Sequence, residues 1–386
     1  MINILLLIMC LVTIITDQRG HGMQIVSKEE DLELERQLSI LNKPPIKSIH
    51  TKSGYIIDCV DINKQPAFDH PLLKNHKLQR KPIFISNINE TRVQNSPTKP
   101  TFILEKVRCP KETVPIRRTT KNDLIQGKAL FNAHNLTQNS SLNHFARVFL
   151  SPVGSPYYGV SGTSSVWNPN VYKGQSSSGY LYVQRGEGDE INKISVGWHV
   201  SPLLYNDGQT HLFLFWASGK SGCFDMLCKG FIQVDRSYNF GAHVSKTSTY
   251  GGEIIELPLK ISRDNVGNWW LKVVDKDIGY FPASLFPSLT HQADTVGWGG
   301  YTVTPMGTTS PTMGSGYKPD NDFTHASYFR FVKYLEIVGE EVDPLRFMVK
   351  SYNDAPNCYG VTNYEDKRKG EGYSLQFGGP GGKCNT

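Results

Sequence analysis

Two short stretches gather side chains able to do chemistry: Ile194-Ser195-Val196-Gly197-Trp198-His199 and Asp294-Thr295-Val296-Gly297-Trp298-Gly299-Gly300-Tyr301. Ser195 and His199 have the residue types of a nucleophile and its base, and that pairing would support hydrolysis through a covalent intermediate. On a strand, a spacing of four puts them on one face but about 13 Å apart, beyond hydrogen-bond reach. Carboxylates for acid–base work lie close by in sequence: Glu187, Asp189 and Glu190 before Ser195, and Asp294 before Trp298. Alternation sets Asp294, Val296 and Trp298 on one face and Thr295, Gly297 and Gly299 on the other. Asp294 reads as an exposed strand-start acid, and the Glu187 to Glu190 group as a glycine-flanked polar turn. His70 and His76, with Asp58, Asp61 and Asp69, have the residue types of metal ligands. Their segment is broken by prolines and reads as solvated turn, so neither a metal nor a cofactor is expected.

The elements that must position these residues are mostly strands. Aromatics make up 11% of the chain and charged residues 20%, with 35 Gly and 22 Pro, a mix that suits an ordered, turn-rich, β-dominated protein. After His144, short β-prone runs alternate with Gly, Pro, Asn and Ser. They are 145–150, 159–167, 180–184, 191–200, 211–217, 231–234, 253–260, 269–274, 295–303, 329–338 and 373–377. Many short strands at this spacing predict a mainly β fold, an antiparallel β-sandwich of two stacked sheets. Residues 280–289 give the one helical signal in that half. Ahead of it, leucines at 32, 34, 38 and 41 among charges predict an amphipathic helix over 24–43, ended by Pro44-Pro45. One or two strands over 49–62 follow, so the N-terminal region reads as a small α+β domain. Residues 127–143 are polar and Asn-rich and read as a linker. The expected division is 1–22 signal peptide, 23–135 N-terminal domain and 144–386 sandwich.

The run from Ile2 to Ile15 is nearly all apolar and ends at Asp17, a length that matches a signal-peptide core better than a membrane span. No membrane association is expected once it is removed. Cys10 leaves with it, and Cys59, Cys109, Cys223, Cys228, Cys358 and Cys384 remain, an even number for an oxidising compartment. Their spacing favours pairing in chain order, 59–109, 223–228 and 358–384, among fifteen possibilities. Asn89, Asn135 and Asn139 each begin a glycosylation tripeptide. The net charge of +6 is modest. Part of it concentrates at Lys106, Arg108, Lys111, Arg117, Arg118, Lys121 and Lys128. That run has no interleaved aromatic platform and no nucleic-acid motif, so it reads as a solvated or processed linker.

Several motifs, taken in order, resemble the neprosin family of plant secreted glutamic peptidases. In the N-terminal half they are Ile56-Ile57-Asp58-Cys59-Val60-Asp61-Ile62, the run Lys64-Gln65-Pro66-Ala67-Phe68-Asp69-His70-Pro71-Leu72-Leu73, and Cys109-Pro110 through Arg117-Arg118. In the C-terminal half they are Val166-Trp167-Asn168-Pro169, Gly197-Trp198-His199-Val200-Ser201-Pro202, Gly222-Cys223 through Ile232-Gln233, Gly267-Asn268-Trp269-Trp270, Met313-Gly314-Ser315-Gly316 and Phe377-Gly378-Gly379-Pro380 through Cys384. The resemblance implies a zymogen, exported to cell wall or apoplast, whose prodomain is removed to free a post-proline-cleaving β-sandwich. It also implies that Cys223–Cys228 and Cys358–Cys384 are the two disulfides of the mature domain.

The family reads roughly I-E-x-G-W and W-G-G-E where it keeps its catalytic glutamates. Here Ser195 and Tyr301 stand at those places, and Gly297 stands where some members carry an acid before the Trp. A carboxylate dyad divides labour, one ionised group activating water and the other donating a proton. Neither serine nor tyrosine does this in acid, and each lost group costs roughly 10²–10⁴-fold. The leading reading is therefore a secreted protein without catalytic residues, at most binding extended, Pro-containing peptides beside its own prodomain. Trp198, His199 and Trp298 are the expected groove residues. An acid prolyl endopeptidase using displaced carboxylates is the second reading, and a structural or storage protein the third. The residues leave the oligomeric state open.

Overall fold

The computed structural model describes residues 27–84, 102, 104–105, 107–134, 141–152, 156–368 and 370–384. The expected signal segment and Asn89, Asn135 and Asn139 lie outside these residues. Helix α1 (Lys28–Leu41) falls within the span read as helical from its leucines, with Arg36 bonding back to Glu33 one turn earlier. Among the described residues no helix is long and apolar enough to cross a membrane.

The N-terminal module is a three-stranded antiparallel sheet in which β1 (Lys47–His50) and β3 (Thr113–Arg117) flank β2 (Ile56–Asp61). Its small core is fixed covalently by Cys59–Cys109 and polarly by Asp58, whose carboxylate takes two hydrogen bonds from Arg118 at 2.8 and 2.7 Å. Residues 121–134 depart from the linker reading: they form helix α2 (Lys121–His134). Thr120 Oγ1 accepts from the Asp123 amide and Asp123 Oδ2 accepts from the Thr120 amide, a reciprocal cap that starts the helix. Leu124, Gly127, Phe131 and His134 recur at helical spacing, so one stripe faces inward.

The remainder is the two-sheet sandwich. One sheet holds seven strands, β4 (Ser141–Leu150), β6 (Ser176–Arg185), β7 (Asn192–Val200), β8 (Thr210–Ser218), β9 (Ser221–Phe224), β14 (Thr295–Pro305) and β17 (Val349–Asn353). They are ordered β17-β4-β14-β6-β7-β8-β9. The other runs β10-β13-β12-β11-β5-β15-β19-β18, with β16 (Glu340–Val342) paired to β15. Its members are β5 (Gly159–Ser165), β10 (Ile232–Gln233), β11 (Glu256–Arg263), β12 (Trp269–Val273), β13 (Lys276–Phe281), β15 (Ser327–Ile337), β18 (Gly360–Glu365) and β19 (Ser374–Gly378). The helix read over 280–289 is instead the end of β13 followed by a single 3-10 turn at Ala283–Leu285, since Pro282 and Pro287 leave no room for a longer helix.

The main core lies between the sheets and takes apolar side chains from both. Trp198 and Trp298 belong to it, which corrects their assignment to a groove. Both are fully buried, and their indole N–H groups cross to the facing sheet: Trp198 Nε1 donates to Ser165 O at 2.8 Å and Trp298 Nε1 to Ser161 O at 2.9 Å. Alternation dictates this, because the even positions of β7 and β14 point inward. Cys223–Cys228 and Cys358–Cys384 close loops at 5 and 26 residues of separation.

One of several contacts between the N-terminal module and the larger sheet is made by a side-chain amide at the sheet edge. Gln65 Oε1 accepts from the Gln233 backbone N–H at 2.8 Å, and Gln65 Nε2 donates to Gln233 O at 3.0 Å. The Gln65 side chain thus takes the place of a neighbouring strand's peptide group beside β10.

Candidate functional site

The outer face of the seven-stranded sheet carries the odd residues of β4, β7, β8 and β14 and the even residues of β6. Register arranges them in rows. Gly297, Tyr182, Ser195 and Phe215 form one row, and Gly299, Tyr180, Gly197 and Phe213 the next. Tyr301, Ser178, His199 and His211 form the third. Ser195 and Tyr301, matched in sequence to the two glutamate positions, are therefore not neighbours. They stand two strands and four residues apart, about 16 Å from strand geometry. Gly297 is the position that shares a row with Ser195, two strands away across Tyr182, about 10 Å at the backbone.

No Asp or Glu lies on this face of the seven strands among the described residues. Asp294 sits at the strand end, accepting from the Gly186 amide at 3.3 Å and from Thr295 Oγ1 at 3.0 Å. Asp189 pairs with Lys220 at 2.9 Å on the surface. The space an acid at 297 would need is taken: a Cβ there would lie 2.7 Å from the Tyr182 ring and 2.8 Å from Val148 O.

What occupies the face is aromatic and basic. Phe213, Phe215, Phe224, Tyr180, Tyr182 and Tyr301 form a second buried cluster with Leu130 and Phe131 of α2. His199 is fully buried among Tyr205, Phe213, Phe224 and Tyr301, and neither ring nitrogen has a hydrogen-bond partner. Burial, then the nearby His211, hold its pKa down to about 3, so the ring is neutral. Ser195 is 2% exposed and its Oγ is also unpartnered. With His199 four residues away and engaged only with rings, Ser195 has no base in contact. Ser195–His199 is not a nucleophile–base pair.

Two residues that the sequence reading passed over complete the site. Lys193 lies two positions before Ser195 on the same face, only 6% exposed, with Nζ 4.6 Å from the centre of the Tyr182 ring and 5.4 Å from that of Tyr180. Burial, then the Arg147 charge, lower its pKa to about 7. Arg147, on β4, places its guanidinium 5.7 Å from Tyr182 and 5.0 Å from Phe145. The signal for both was available, since each follows by alternation on a strand that the sequence had already suggested.

Helix α2 covers this face. Phe131 stacks on Phe215 at 6.1 Å, and His134 packs against Phe215 at 4.4 Å and Tyr301 at 4.9 Å. The His134 residue is half-buried, yet its Nδ1 is closed off and unpartnered. Burial, followed by the charges of Lys193 and His199, holds its pKa to about 3. Gly222 admits the helix, because a Cβ there would meet the Phe131 ring at 2.2 Å. The last turn is held by β4, where Asn143 Nδ2 donates to Ala133 O at 3.0 Å and to His134 O at 3.2 Å. Near the other end, Arg117 pairs with Asp123 at 2.9 Å and covers the Tyr55 ring at 4.0 Å. Tyr55 in turn donates to Tyr205 O at 2.6 Å.

The residues considered for a metal are engaged elsewhere. Asp58 holds Arg118, Asp69 pairs with Lys43, His70 Nδ1 accepts from the Leu72 amide, and His76 Nε2 bonds Tyr280.

Two regions match known protein families: residues 48–148 match the neprosin activation peptide and residues 173–380 match neprosin. Among solved structures, scytalido-glutamic peptidase bound to a peptide-based transition-state analogue is similar at 8% identity and a TM-score of 0.34. The match covers 62% of this chain and 98% of that one. SCP-B, a member of the eqolisin family of peptidases, in complex with the tripeptide Ala-Ile-His, is similar at 10% identity and a TM-score of 0.32, with the same coverage. With the neprosin match spanning more than half of the sequence, the chain belongs to the neprosin family.

Proposed function

We propose that this protein is a secreted neprosin-family member that binds extended, Pro-containing peptides on the outer face of its seven-stranded sheet without cleaving them. The observation that carries this is the lack of any Asp or Glu among the strand residues of that face, where Ser195 and Gly297 share a row; the nearest buried acid, Asp225, is tied to the Leu214 amide and the Tyr205 hydroxyl. Hydrolysis in acid needs one carboxylate to take a proton and another to give one, and the groups present supply neither. The aromatic walls of Phe213, Phe215, Tyr301 and Tyr182 suit proline rings. In the full chain the activation peptide holds this face through α2, so binding follows its displacement. Export is supported by three disulfides and by the apolar run from Ile2 to Ile15.

The test uses the full chain nicked between residues 134 and 141, incubated in acid with a Pro-containing peptide. Binding by calorimetry with the peptide recovered intact is the expected result. Cleavage that disappears in Asp294→Asn would instead establish the displaced-carboxylate peptidase.

A further inference from the structure

We infer that the uncovered face binds a carboxylate, carried by an acidic side chain or a peptide C-terminus, between Lys193 and Arg147. This rests on the reading of that face as a peptide groove and adds the ligand's charge to it. Lys193 and Arg147 approach from different strands, and both place their charge against the Tyr182 ring. Neither has an ion-pair partner among the described residues. The other groups around them add donors: Ser195 Oγ and Arg147 Nε are buried and unpartnered. A carboxylate is the group with only acceptors and a negative charge, so it satisfies this surplus at once.

The covering helix does not. Its single acid, Asp123, is committed to Arg117 and to the cap with Thr120. Two basic groups therefore remain together under the helix without an acidic partner, an arrangement that favours an incoming anion over the lid that excludes it. Lys193 on β7 and Arg147 on β4 converge over the Tyr182 ring of β6, so one carboxylate seated there faces both cations.

The experiment uses the nicked full chain carrying Phe131→Ser, with fast amide exchange over residues 121–134 confirming that the helix is off the sheet. Three labelled peptides are compared by anisotropy at pH 6 and low salt: Ala-Pro-Glu-Ala-Pro amide, its Gln counterpart as the amide, and the Gln counterpart with a free C-terminus. At least one carboxylate-bearing peptide should bind about tenfold tighter than the neutral one, and which one does so identifies the source of the anion. That advantage should fall below about threefold in Lys193→Gln and in Arg147→Gln, and persist in Lys193→Arg, which keeps the charge and controls for folding. Equal affinity for all three peptides would overturn the charge preference and leave the groove intact. No binding of any peptide would overturn both readings. Cleavage of a peptide would sink the non-catalytic reading alone, with the charge preference then read from the relative rates.

Discussion

At the scale of single residues, the site is defined by substitution and by what has filled the space. Glu at 195 and 297 would share a row across Tyr182, whereas Glu at 301 would lie two strands and four residues from 195. Gly297→Glu alone should destabilise the protein by about 1–3 kcal/mol in urea titrations, since its Cβ meets Tyr182 and the Val148 carbonyl. Adding Tyr182→Ser should recover part of that loss, and no recovery would show that the backbone contact dominates. Ser195→Glu with Tyr301→Glu should leave the nicked protein unable to cleave a proline-containing peptide, the acids being too far apart to share a proton. Trp298→Ala belongs to a different class. It removes an indole from between the sheets and should cost about 3–5 kcal/mol. The motifs made the general location of the site legible in the sequence. They did not fix which Trp-flanking position faces Ser195, because a shared row depends on strand register, which one strand's residues do not carry. Aromatic residues near the motif also read as groove from sequence, whereas alternation sends both tryptophans inward.

At the scale of elements, α2 decides whether the face is open. His134 and His199 are held neutral, with pKa values near 3, and return toward about 6.5 once hydrated. The open form therefore binds more protons between those values, and Lys193, lowered to about 7, acts in the same sense at higher pH, so closure weakens progressively as pH falls toward 3. Asp225, raised to about 6 chiefly by burial, opposes this over the upper carboxylate range, but it is one group against two. Amide exchange of residues 121–134 should accelerate on acidification through that window, and His134→Gln should flatten the response. An unchanged profile in His134→Gln would remove this histidine from the mechanism. The cap is a separate lever: Thr120→Ala should cost the helix about 1 kcal/mol, read as faster exchange at every pH. The strands of the sandwich were legible as β-prone runs between turn residues. Helix α2 was not, because glycosylation tripeptides and Asn-rich sequence follow it and its weakly apolar stripe becomes visible only against a sheet. The Thr120-to-Asp123 cap was the missed signal.

At the scale of the whole molecule, the activation-peptide region covers the outer face of the seven-stranded sheet. Its attachment is distributed: α2 on the seven-stranded sheet, Tyr55 and Arg117 near Tyr205, and Gln65 at β10. Loss of Cys59–Cys109, with a separation of 50 residues, should lower the stability of the N-terminal module by about 2–4 kcal/mol in the Cys59→Ser, Cys109→Ser protein. Because that module supplies the lid, the same protein should expose the groove and bind peptide without a nick. Tight binding in the nicked wild type, but none in the doubly substituted intact chain, would show that α2 holds its place independently of the small sheet.

The Gln65 side chain has a consequence for solubility. β10 ends the larger sheet, and an uncovered sheet edge is a template on which another chain can add a strand. In the full-length chain one side-chain amide occupies that hydrogen-bonding position at Gln233. Once the N-terminal module departs, the position is vacated. A sandwich without that module would carry a short exposed margin on which another chain can add a strand, so aggregation should rise on its removal.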